Sequence, residues 1–174
     1  MKKIYLTQNK YTIVDDADYD LVMELGGWYA FYQPRRNCFC FVVKTNAYDI
    51  HGKRVTIYMH RLLMNFPVNK EIDHIDNNPL NNQRANLRLA TNAQNAMNSR
   101  KRKMHGRKPS SIYKGVSWYK QGKKWRACIM FNGKNIHLGY FKREEDAGLV
   151  YNKKAIQLFG KYALLNNIGG NQNV

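Results

Sequence analysis

Alternating apolar and polar positions in the first third of the chain are typical of short β-strands joined by one helix. The predicted strands cover residues 10–14, 28–33, 38–45 and 54–58. Asp15 or Asp16 can cap a helix that runs to Leu25, where Gly26-Gly27 ends it. We therefore expect residues 1–58 to form a small sheet-plus-helix module.

Two interpretations of this module stay open, because no catalytic arrangement of residues stands out in it. It is either a platform that supports the rest of the chain or a sheet that contacts DNA. The basic side chains available for DNA contact are Arg35, Arg36, Lys44, Lys53 and Arg54. Residues 1–59 carry 8 basic and 6 acidic side chains, and this near balance favours the platform.

The middle of the chain, residues 59–105, predicts a β-loop-β-α unit that follows a short helix at 59–66. The two strands are expected at 71–74 and 86–90, on either side of a loop rich in asparagine. Thr91 and Gln94 form a capping-box pattern that starts the next helix. Asn95 then lies about one turn into that helix, on a face that can look back at the end of the first strand.

The last third predicts a three-stranded antiparallel sheet backed by one helix. The strands are expected at 113–119, 124–131 and 134–138, with Asn132-Gly133 as a hairpin turn. Apolar residues four apart predict a helix at 144–159 that ends at Gly160. Alternation places Trp125, Ala127 and Ile129 on the core side of the sheet, and Arg126, Cys128 and Met130 on the other. The fold class is therefore α+β, with a basic linker and this sheet making up residues 106–174.

The net charge of +17 is concentrated at one end of the chain. Residues 99–174 carry 17 basic and 3 acidic side chains, which is typical of a region that binds nucleic acid. No continuous apolar run approaches the roughly 18 residues of a membrane span, and no basic amphipathic helix suggests membrane binding. The chain turns polar directly after Met1, so we expect a cytoplasmic protein. Three cysteines without a CxxC pair argue against a disulfide framework and a structural zinc.

The residues with the most suggestive chemistry are Asp73, His74, Asn86 and Asn95. A carboxylate and a carboxamide can hold one hard divalent cation through oxygen, beside an imidazole that can deprotonate water. This combination suits hydrolysis of a phosphodiester. His60 has no second ligand in the sequence, so we interpret it as a packing residue.

The segment 59–98 resembles the HNH nuclease family, a ββα-metal fold, in the variant whose last histidine is replaced by asparagine. The resemblance rests on Met59-His-Arg-Leu-Leu, Asp73-His-Ile-Asp-Asn-Asn, Leu80-Asn-Asn, Asn86-Leu-Arg-Leu-Ala-Thr and Gln94-Asn. It implies that His74 is the general base and that Asp73 and Asn95 ligate one Mg²⁺ or Mn²⁺. It also implies that Asn86 braces the loop and orients His74 through a backbone hydrogen bond. The expected products carry 5′-phosphate and 3′-hydroxyl ends.

The segment 111–166 resembles an AP2 DNA-binding domain. The matching motifs are Tyr113-Lys-Gly-Val, Lys124-Trp-Arg-Ala-Cys-Ile, His137-Leu-Gly-Tyr-Phe, Glu144-Glu-Asp-Ala, Tyr151-Asn-Lys-Lys-Ala and Gly160-Lys-Tyr-Ala-Leu-Leu-Asn. The resemblance implies a sheet that lies in the DNA major groove. Groove-facing positions usually held by Arg or Trp are here Ser117, Cys128, Met130, Asn135 and His137, which leaves the sequence preference open.

The expected DNA-contacting side chains lie in three regions. The AP2-like sheet contributes Lys114, Tyr119, Lys124, Arg126 and Lys134. The linker contributes Arg100, Lys101, Arg102 and Lys103, and the HNH segment contributes Arg84 and Arg88. Such basic side chains neutralise phosphates and release counterions.

These features together predict a metal-dependent endonuclease of the homing or phage type that acts on double-stranded DNA, without a small-molecule cofactor. One catalytic centre serves one phosphodiester at a time, so a monomer would nick and a double-strand break would need a homodimer or sequential action. The alternative is a non-cleaving DNA-binding regulator in which the HNH segment is scaffold. A weaker alternative is RNA as the substrate or ligand.

Overall fold

The computed structural model describes residues 1–35, 38–101 and 108–169. The chain forms two compact units, Met1–Asn95 and Ala96–Val174. Each unit combines strands and helices, which is compatible with the predicted α+β class. None of the helices in the described part of the chain is long and apolar enough to cross a membrane.

Three small antiparallel sheets make up most of the N-terminal unit, and two helices lie between their strands. The strands are β1 (Lys2–Tyr5), β2 (Tyr11–Val14), β3 (Tyr29–Arg35), β4 (Cys38–Tyr48), β5 (Arg54–Tyr58), β6 (Glu71–His74) and β7 (Leu87–Ala90). The helices are α1 (Tyr19–Leu25) and α2 (Met59–Leu63). β1 pairs with β2, β4 lies between β3 and β5, and β6 pairs with β7. The next helix, α3, is Asn92–Met97.

One hydrophobic core joins the strands and helices of this unit. Val14, Val22 and Val43 come from β2, α1 and β4, and they pack with Met59 and Leu63 of α2. Ile72 of β6 and Leu87 of β7 belong to the same core. The residues before and after position 58 therefore fold around shared apolar side chains, which gives the β6–β7 hairpin a rigid support.

The N-terminal unit differs from the prediction in several element bounds and in one additional strand. β1 was not predicted, because Ile4 is its one buried residue and the two lysines before it give no alternation of apolar and polar positions. α2 ends at Leu63 rather than at residue 66, since Asn65 and Phe66 adopt left-handed conformations with φ of 60° and 47°. A helix cannot continue through residues with positive φ.

The C-terminal unit contains a three-stranded antiparallel sheet with a helix packed on one face. The strands are β8 (Val116–Tyr119), β9 (Lys124–Phe131) and β10 (Lys134–Phe141), with β9 in the centre, and the helix is α4 (Glu144–Phe159). Ala147, Tyr151 and Ala155 of α4 are buried, as are Ala127 and Ile129 of β9. This confirms the predicted core side of β9.

Local turn chemistry explains where the strands of this sheet meet. Asn132 and Gly133 have φ of 48° and 74°, as the predicted hairpin turn requires. β10 extends past the predicted end, because a register shift between His137 and Gly139 lets pairing continue to Phe141. Gly115 has φ of 76°, and a Cβ there would lie 2.1 Å from the Tyr151 ring, so only glycine fits.

Candidate active site

The β6–β7 hairpin positions the predicted catalytic residues. β6 ends at His74, and its register places Asp73 opposite Arg88 and His74 opposite Leu87. Ile72 and Leu87 anchor the two strands in the core. The carboxylate and the imidazole are therefore presented from the last two residues of a strand whose position is determined by packing.

Asp73 is held in a buried ion pair with Arg88. The Nε and Nη2 atoms of Arg88 donate to Oδ2 of Asp73 at 2.8 and 2.6 Å. The two side chains are only 5% and 12% exposed, so water screens their attraction little. Arg88 was expected to contact DNA, whereas here its guanidinium neutralises the carboxylate predicted to bind metal.

His74 is a half-buried histidine between an amide and a second imidazole. Its Nε2 lies 3.3 Å from Oδ1 of Asn82. The His60 ring meets it nearly edge-on, with centroids 5.3 Å apart and an interplanar angle of 75°. Burial lowers the pKa of His74, while the Asn82 hydrogen bond and the charges of Asp76 and Asp73 act in the opposite direction. Burial thus favours the neutral imidazole that a general base requires.

Asn86 clasps the loop that follows His74. Its Oδ1 accepts the N–H of Asp76 at 3.0 Å, and its Nδ2 donates to Asp76 Oδ1 and to the carbonyl of Asn81 at 3.0 and 2.8 Å. Its own carbonyl accepts the N–H of Ile75 at 2.9 Å. These four bonds tie the loop to the start of β7 directly behind His74.

Asn95 lies one turn into α3, as its spacing predicts. The Thr91 Oγ1 atom accepts the Gln94 N–H at 3.2 Å, and the Gln94 side chain accepts the Thr91 N–H at 2.9 Å, which confirms the capping box. The N–H of Asn95 donates to the Thr91 carbonyl at 2.9 Å. The side chain of Asn95 is half-buried.

The donor chemistry of Asp73 and Asn95 fits a hard divalent cation, since both offer oxygen. The described residues contain no group of three or more His, Cys, Asp or Glu side chains arranged to hold a metal. Such a two-residue site would rely on water and substrate oxygens for its other ligands, as Mg²⁺ sites commonly do. The guanidinium of Arg88 shares the Asp73 carboxylate and would compete with the cation for it.

A cleft of about 810 Å³ lies beside the hairpin rather than at His74. Arg61, the segment 66–71 and the segment 91–93 line it. The Nη2 atom of Arg61 donates to the Pro67 carbonyl at 2.9 Å, which holds this wall in place. The cleft and the histidine are therefore separate features of the N-terminal unit.

The other basic residues expected to contact DNA fall into two groups. Three of them are engaged within their own unit. Arg84 binds Asp18 at 2.7 Å in the N-terminal unit. In the C-terminal unit, Nζ of Lys101 donates to the carbonyls of Ser111, Tyr113 and Val116 at 2.7–2.9 Å.

Lys114 is held in the same manner as Lys101. Its Nζ donates to the carbonyls of Met97 and Ser99, both at 2.6 Å. Burial lowers the pKa of Lys101, and it lowers that of Lys114 to about 8. These two ammonium groups satisfy main-chain acceptors of the C-terminal unit, which leaves them poorly placed to contact phosphate.

The second group includes the residues on the sheet face that α4 leaves uncovered. The register places Tyr119, Lys124 and Arg126 on this face. Lys134 is exposed at the β9–β10 hairpin, and Arg100 is exposed before the linker. Arg102 and Lys103, like Arg36 in the N-terminal unit, lie outside the described residues.

The open sheet face is the side of β8, β9 and β10 that faces away from α4. Its members are Ser117, Tyr119, Lys124, Arg126, Cys128, Met130, Asn135, His137 and Tyr140. The face carries two formal positive charges and no carboxylate among these residues. It can therefore accept a polyanion.

Sequence reasoning missed Asn82 and undervalued His60. Asn82 lies in the loop predicted to be rich in asparagine, yet its side chain is fully buried and contacts His74. His60 was interpreted as a packing residue, and its ring contacts that of His74. The run Leu80-Asn-Asn within the HNH resemblance was the available signal for Asn82, but no local pattern distinguishes a buried asparagine from an exposed one.

Comparison with known proteins finds a family match in the same part of the chain. Residues 65–97 match the profile of the HNH endonuclease family (HNH_3), which spans β6, the loop, β7 and α3. This part of the chain is therefore similar to the HNH endonuclease family.

Two relatives come from viruses. The chain is 33% identical over 124 residues to "Uncharacterized HNH endonuclease L560" of Acanthamoeba polyphaga mimivirus, covering 70% of this chain and 62% of the relative. It is 35% identical over 92 residues to "Protein 3.8" of Escherichia phage T7, covering 53% of this chain and 72% of the relative. The chain thus spans less than two thirds of the mimivirus protein. No solved structure matches the chain.

Proposed function

We propose that this protein is a metal-dependent endonuclease that hydrolyses phosphodiester bonds of double-stranded DNA. The observation that carries the proposal is the placement of Asp73 and His74 at the buried end of β6, braced by Asn86, within the segment that matches the HNH family. The matching segment is the part of the chain with the side chains that phosphodiester hydrolysis needs.

His74 is the general base in this proposal. Its half-buried imidazole is kept neutral by desolvation, so it can take a proton from the attacking water. Asn86 holds the following loop against the strand, which limits how far His74 can move. Asp73 and Asn95 would hold one Mg²⁺ or Mn²⁺, which when bound supplies charge stabilisation at the phosphate and at the leaving oxygen.

The C-terminal unit binds and positions the DNA in this proposal. The AP2-like arrangement of sheet and helix leaves one sheet face open, and Lys124, Arg126 and Tyr119 lie on it. Residues 99–174 supply 17 of the 29 basic side chains, so this region contributes most of the phosphate neutralisation. We extend the proposal in two ways. The protein would be encoded by a mobile or phage-borne element, which the phage and mimivirus relatives favour. It would act as a monomer that nicks one strand.

The test is cleavage of supercoiled plasmid with Mg²⁺ or Mn²⁺, followed by mapping of the ends. The wild-type protein should nick or cut and leave 5′-phosphate ends. His74→Ala should lose cleavage by at least about 100-fold, as expected for removal of a general base, and should bind DNA with unchanged affinity. Lys124→Ala/Arg126→Ala is the matched control, since it should weaken binding while cleavage at saturating protein persists. Full cleavage by His74→Ala would refute the mechanism.

A second candidate is a DNA-binding regulator that does not cleave. The buried Asp73–Arg88 ion pair favours it, because a carboxylate already neutralised by arginine needs no metal. Specific binding by the wild-type protein together with no nicking under either metal would support this candidate. Metal-dependent nicking would eliminate it.

A further inference from the structure

Asn82 is a neighbour of His74 whose side-chain amide has hydrogen-bond partners on both of its polar atoms. Its side chain is fully buried, and its Oδ1 lies 3.3 Å from His74 Nε2. Its Nδ2 donates to Thr12 Oγ1 at 2.9 Å and to the Pro79 carbonyl at 3.2 Å. A fully buried amide with partners on both of its polar atoms holds a single orientation.

Proton counting determines that orientation. The Pro79 carbonyl can only accept a hydrogen bond, so the atom facing it must be the amide nitrogen. The Thr12 hydroxyl directs its one proton to the Leu80 carbonyl at 2.8 Å or toward the Met59 sulfur at 3.9 Å, and both of these only accept. Thr12 Oγ1 must therefore accept from Asn82, which again requires the amide nitrogen on that side. The carbonyl oxygen of the amide is left facing His74.

The tautomer of His74 follows from that orientation. An amide oxygen can only accept, so the Nε2 atom of His74 must carry a proton for the contact to be a hydrogen bond. In the neutral imidazole the other nitrogen, Nδ1, then has the lone pair. The two nitrogens of His74 are thereby assigned different roles before any substrate binds.

The support for Asn82 comes from a strand far away in sequence. The N–H of Asn82 donates to the Ile13 carbonyl at 2.9 Å, and the N–H of Ile13 donates to the Leu80 carbonyl at 3.1 Å. Ile13 and Asn81 form a parallel bridge between β2 and the loop. β2 thus anchors the loop that carries the amide, and Thr12 of the same strand is fully buried.

We infer that Asn82 is a positioning residue that holds His74 in its Nε2–H tautomer, so that Nδ1 is the atom that accepts the proton from the attacking water. The assignment of the tautomer rests on the hydrogen bonds of Asn82 and Thr12. The role of Nδ1 in accepting a proton rests on the proposed function. Asn82 itself touches no reacting atom, and it acts through the orientation of the imidazole.

The first test is a nitrogen-15 NMR spectrum of the histidine side chains in the wild-type protein at about pH 8, where an ordinary histidine is neutral. The signal of His74 is assigned as the one that His74→Ala lacks. We expect a protonated Nε2 and an unprotonated Nδ1. A protonated Nδ1, or an equal mixture of the two tautomers, would overturn the inference whether or not any variant folds.

The second test compares two asparagines of the same loop. Asn82→Leu keeps a similar volume and removes the acceptor, so His74 should lose its single tautomer, and single-turnover cleavage should slow by about 100-fold with unchanged DNA affinity. Asn81→Ala is the matched control, because the Asn81 side chain binds Asp76 and the Gln83 N–H. Asn81→Ala should keep the tautomer of His74 and most of the cleavage rate.

The outcomes separate this inference from the proposed function. If the wild-type protein shows the Nε2–H tautomer and cleaves no DNA, the structural assignment holds and the proposed function fails. If the wild-type protein cleaves and folded Asn82→Leu retains both the tautomer and the rate, the positioning role of Asn82 is refuted. A thermal unfolding curve of each variant establishes which ones are folded.

Discussion

The two units of this chain use their charged side chains in opposite ways. In the N-terminal unit, Arg84 and Arg88 are paired with Asp18 and Asp73, both of which are buried. In residues 99–174, 17 basic side chains accompany only 3 acidic ones, so most of these cations cannot be paired with a carboxylate of the same region. The charged side chains of the N-terminal unit therefore stabilise its own structure through ion pairs. Most of the cations of the C-terminal unit remain available to bind an anionic ligand.

This difference separates two requirements of an enzyme that acts on a polyanion. A hydrolytic centre needs a few polar groups held within narrow limits, and buried partners provide that constraint. A surface that binds phosphates needs many cations whose charge is not neutralised internally. Net charge alone would have directed attention to the C-terminal unit and away from the hairpin that carries His74.

The largest expected effect comes from breaking the buried pair of the N-terminal unit. Arg88→Leu leaves the Asp73 carboxylate buried without its partner, which should lower the free energy of unfolding by about 3–5 kcal/mol. The measurement is urea unfolding followed by the fluorescence of Trp28, which is buried in this unit. The double variant Asp73→Leu/Arg88→Leu should recover part of the loss.

The matched control for this experiment is Lys124→Leu on the open sheet face. An exposed charge outside any pair should change the free energy of unfolding by no more than about 0.5 kcal/mol. Equal losses for Arg88→Leu and Lys124→Leu would show that the two units do not differ in how they use charge.

The next effect concerns DNA affinity and tests the C-terminal side of the comparison. Deleting residues 106–174 removes 13 basic and 3 acidic side chains. We expect the dissociation constant for duplex DNA to rise by about 100-fold at about 0.1 M salt, and the slope of log K against log salt to become shallower. The measurement is a salt titration of DNA binding.

A single substitution on the open sheet face gives the change in salt slope that corresponds to one phosphate contact. Lys124→Ala should reduce the salt slope by about one, as expected for loss of one phosphate contact. If the deletion leaves the slope unchanged, the C-terminal unit does not anchor the DNA, and the charge asymmetry has another purpose.

Four elements have the bounds that the sequence predicts, because they depend on periodicity and turn residues within a short stretch of chain. β5, β6, β9 and α4 begin and end where the sequence predicts, because periodicity and turn residues act over a few positions. The core side of β9 follows from simple alternation for the same reason. The HNH segment was found because its spaced motif lies within about forty residues of continuous sequence.

The contacts that escaped prediction are non-local. Asn82 is buried because Thr12, 70 residues earlier, accepts its side-chain N–H. Lys101 looks like a linker cation in the sequence, and only the fold brings three carbonyls to its Nζ. A contact between strands or loops that are distant in sequence depends on tertiary packing, and a local sequence pattern does not predict it.

Lys101 is an exception within the C-terminal unit, because this cation stabilises its own unit through hydrogen bonds to main-chain carbonyls. Lys101→Met removes three hydrogen bonds and leaves main-chain carbonyls unsatisfied, so the free energy of unfolding should fall by about 2–3 kcal/mol. The fluorescence of Trp118 and Trp125 reports on this unit. The exposed neighbour Arg100 supplies the control, since Arg100→Met should change stability by less than about 0.5 kcal/mol. Similar losses in both variants would mean that the carbonyl contacts of Lys101 contribute nothing specific.

The smallest expected effect is on the pH dependence of cleavage. Burial lowers the pKa of His74 from its ordinary 6.5, so its neutral form persists as the pH falls through that value. Single-turnover cleavage at saturating protein should therefore keep more than half of its maximal rate at pH 6.5, with the acid limb at lower pH. DNA binding is measured in parallel, because lysine and arginine ordinarily titrate well above this range and binding through them should stay level. An acid limb at or above pH 6.5 with level binding would mean that the catalytic base is not the half-buried imidazole of His74.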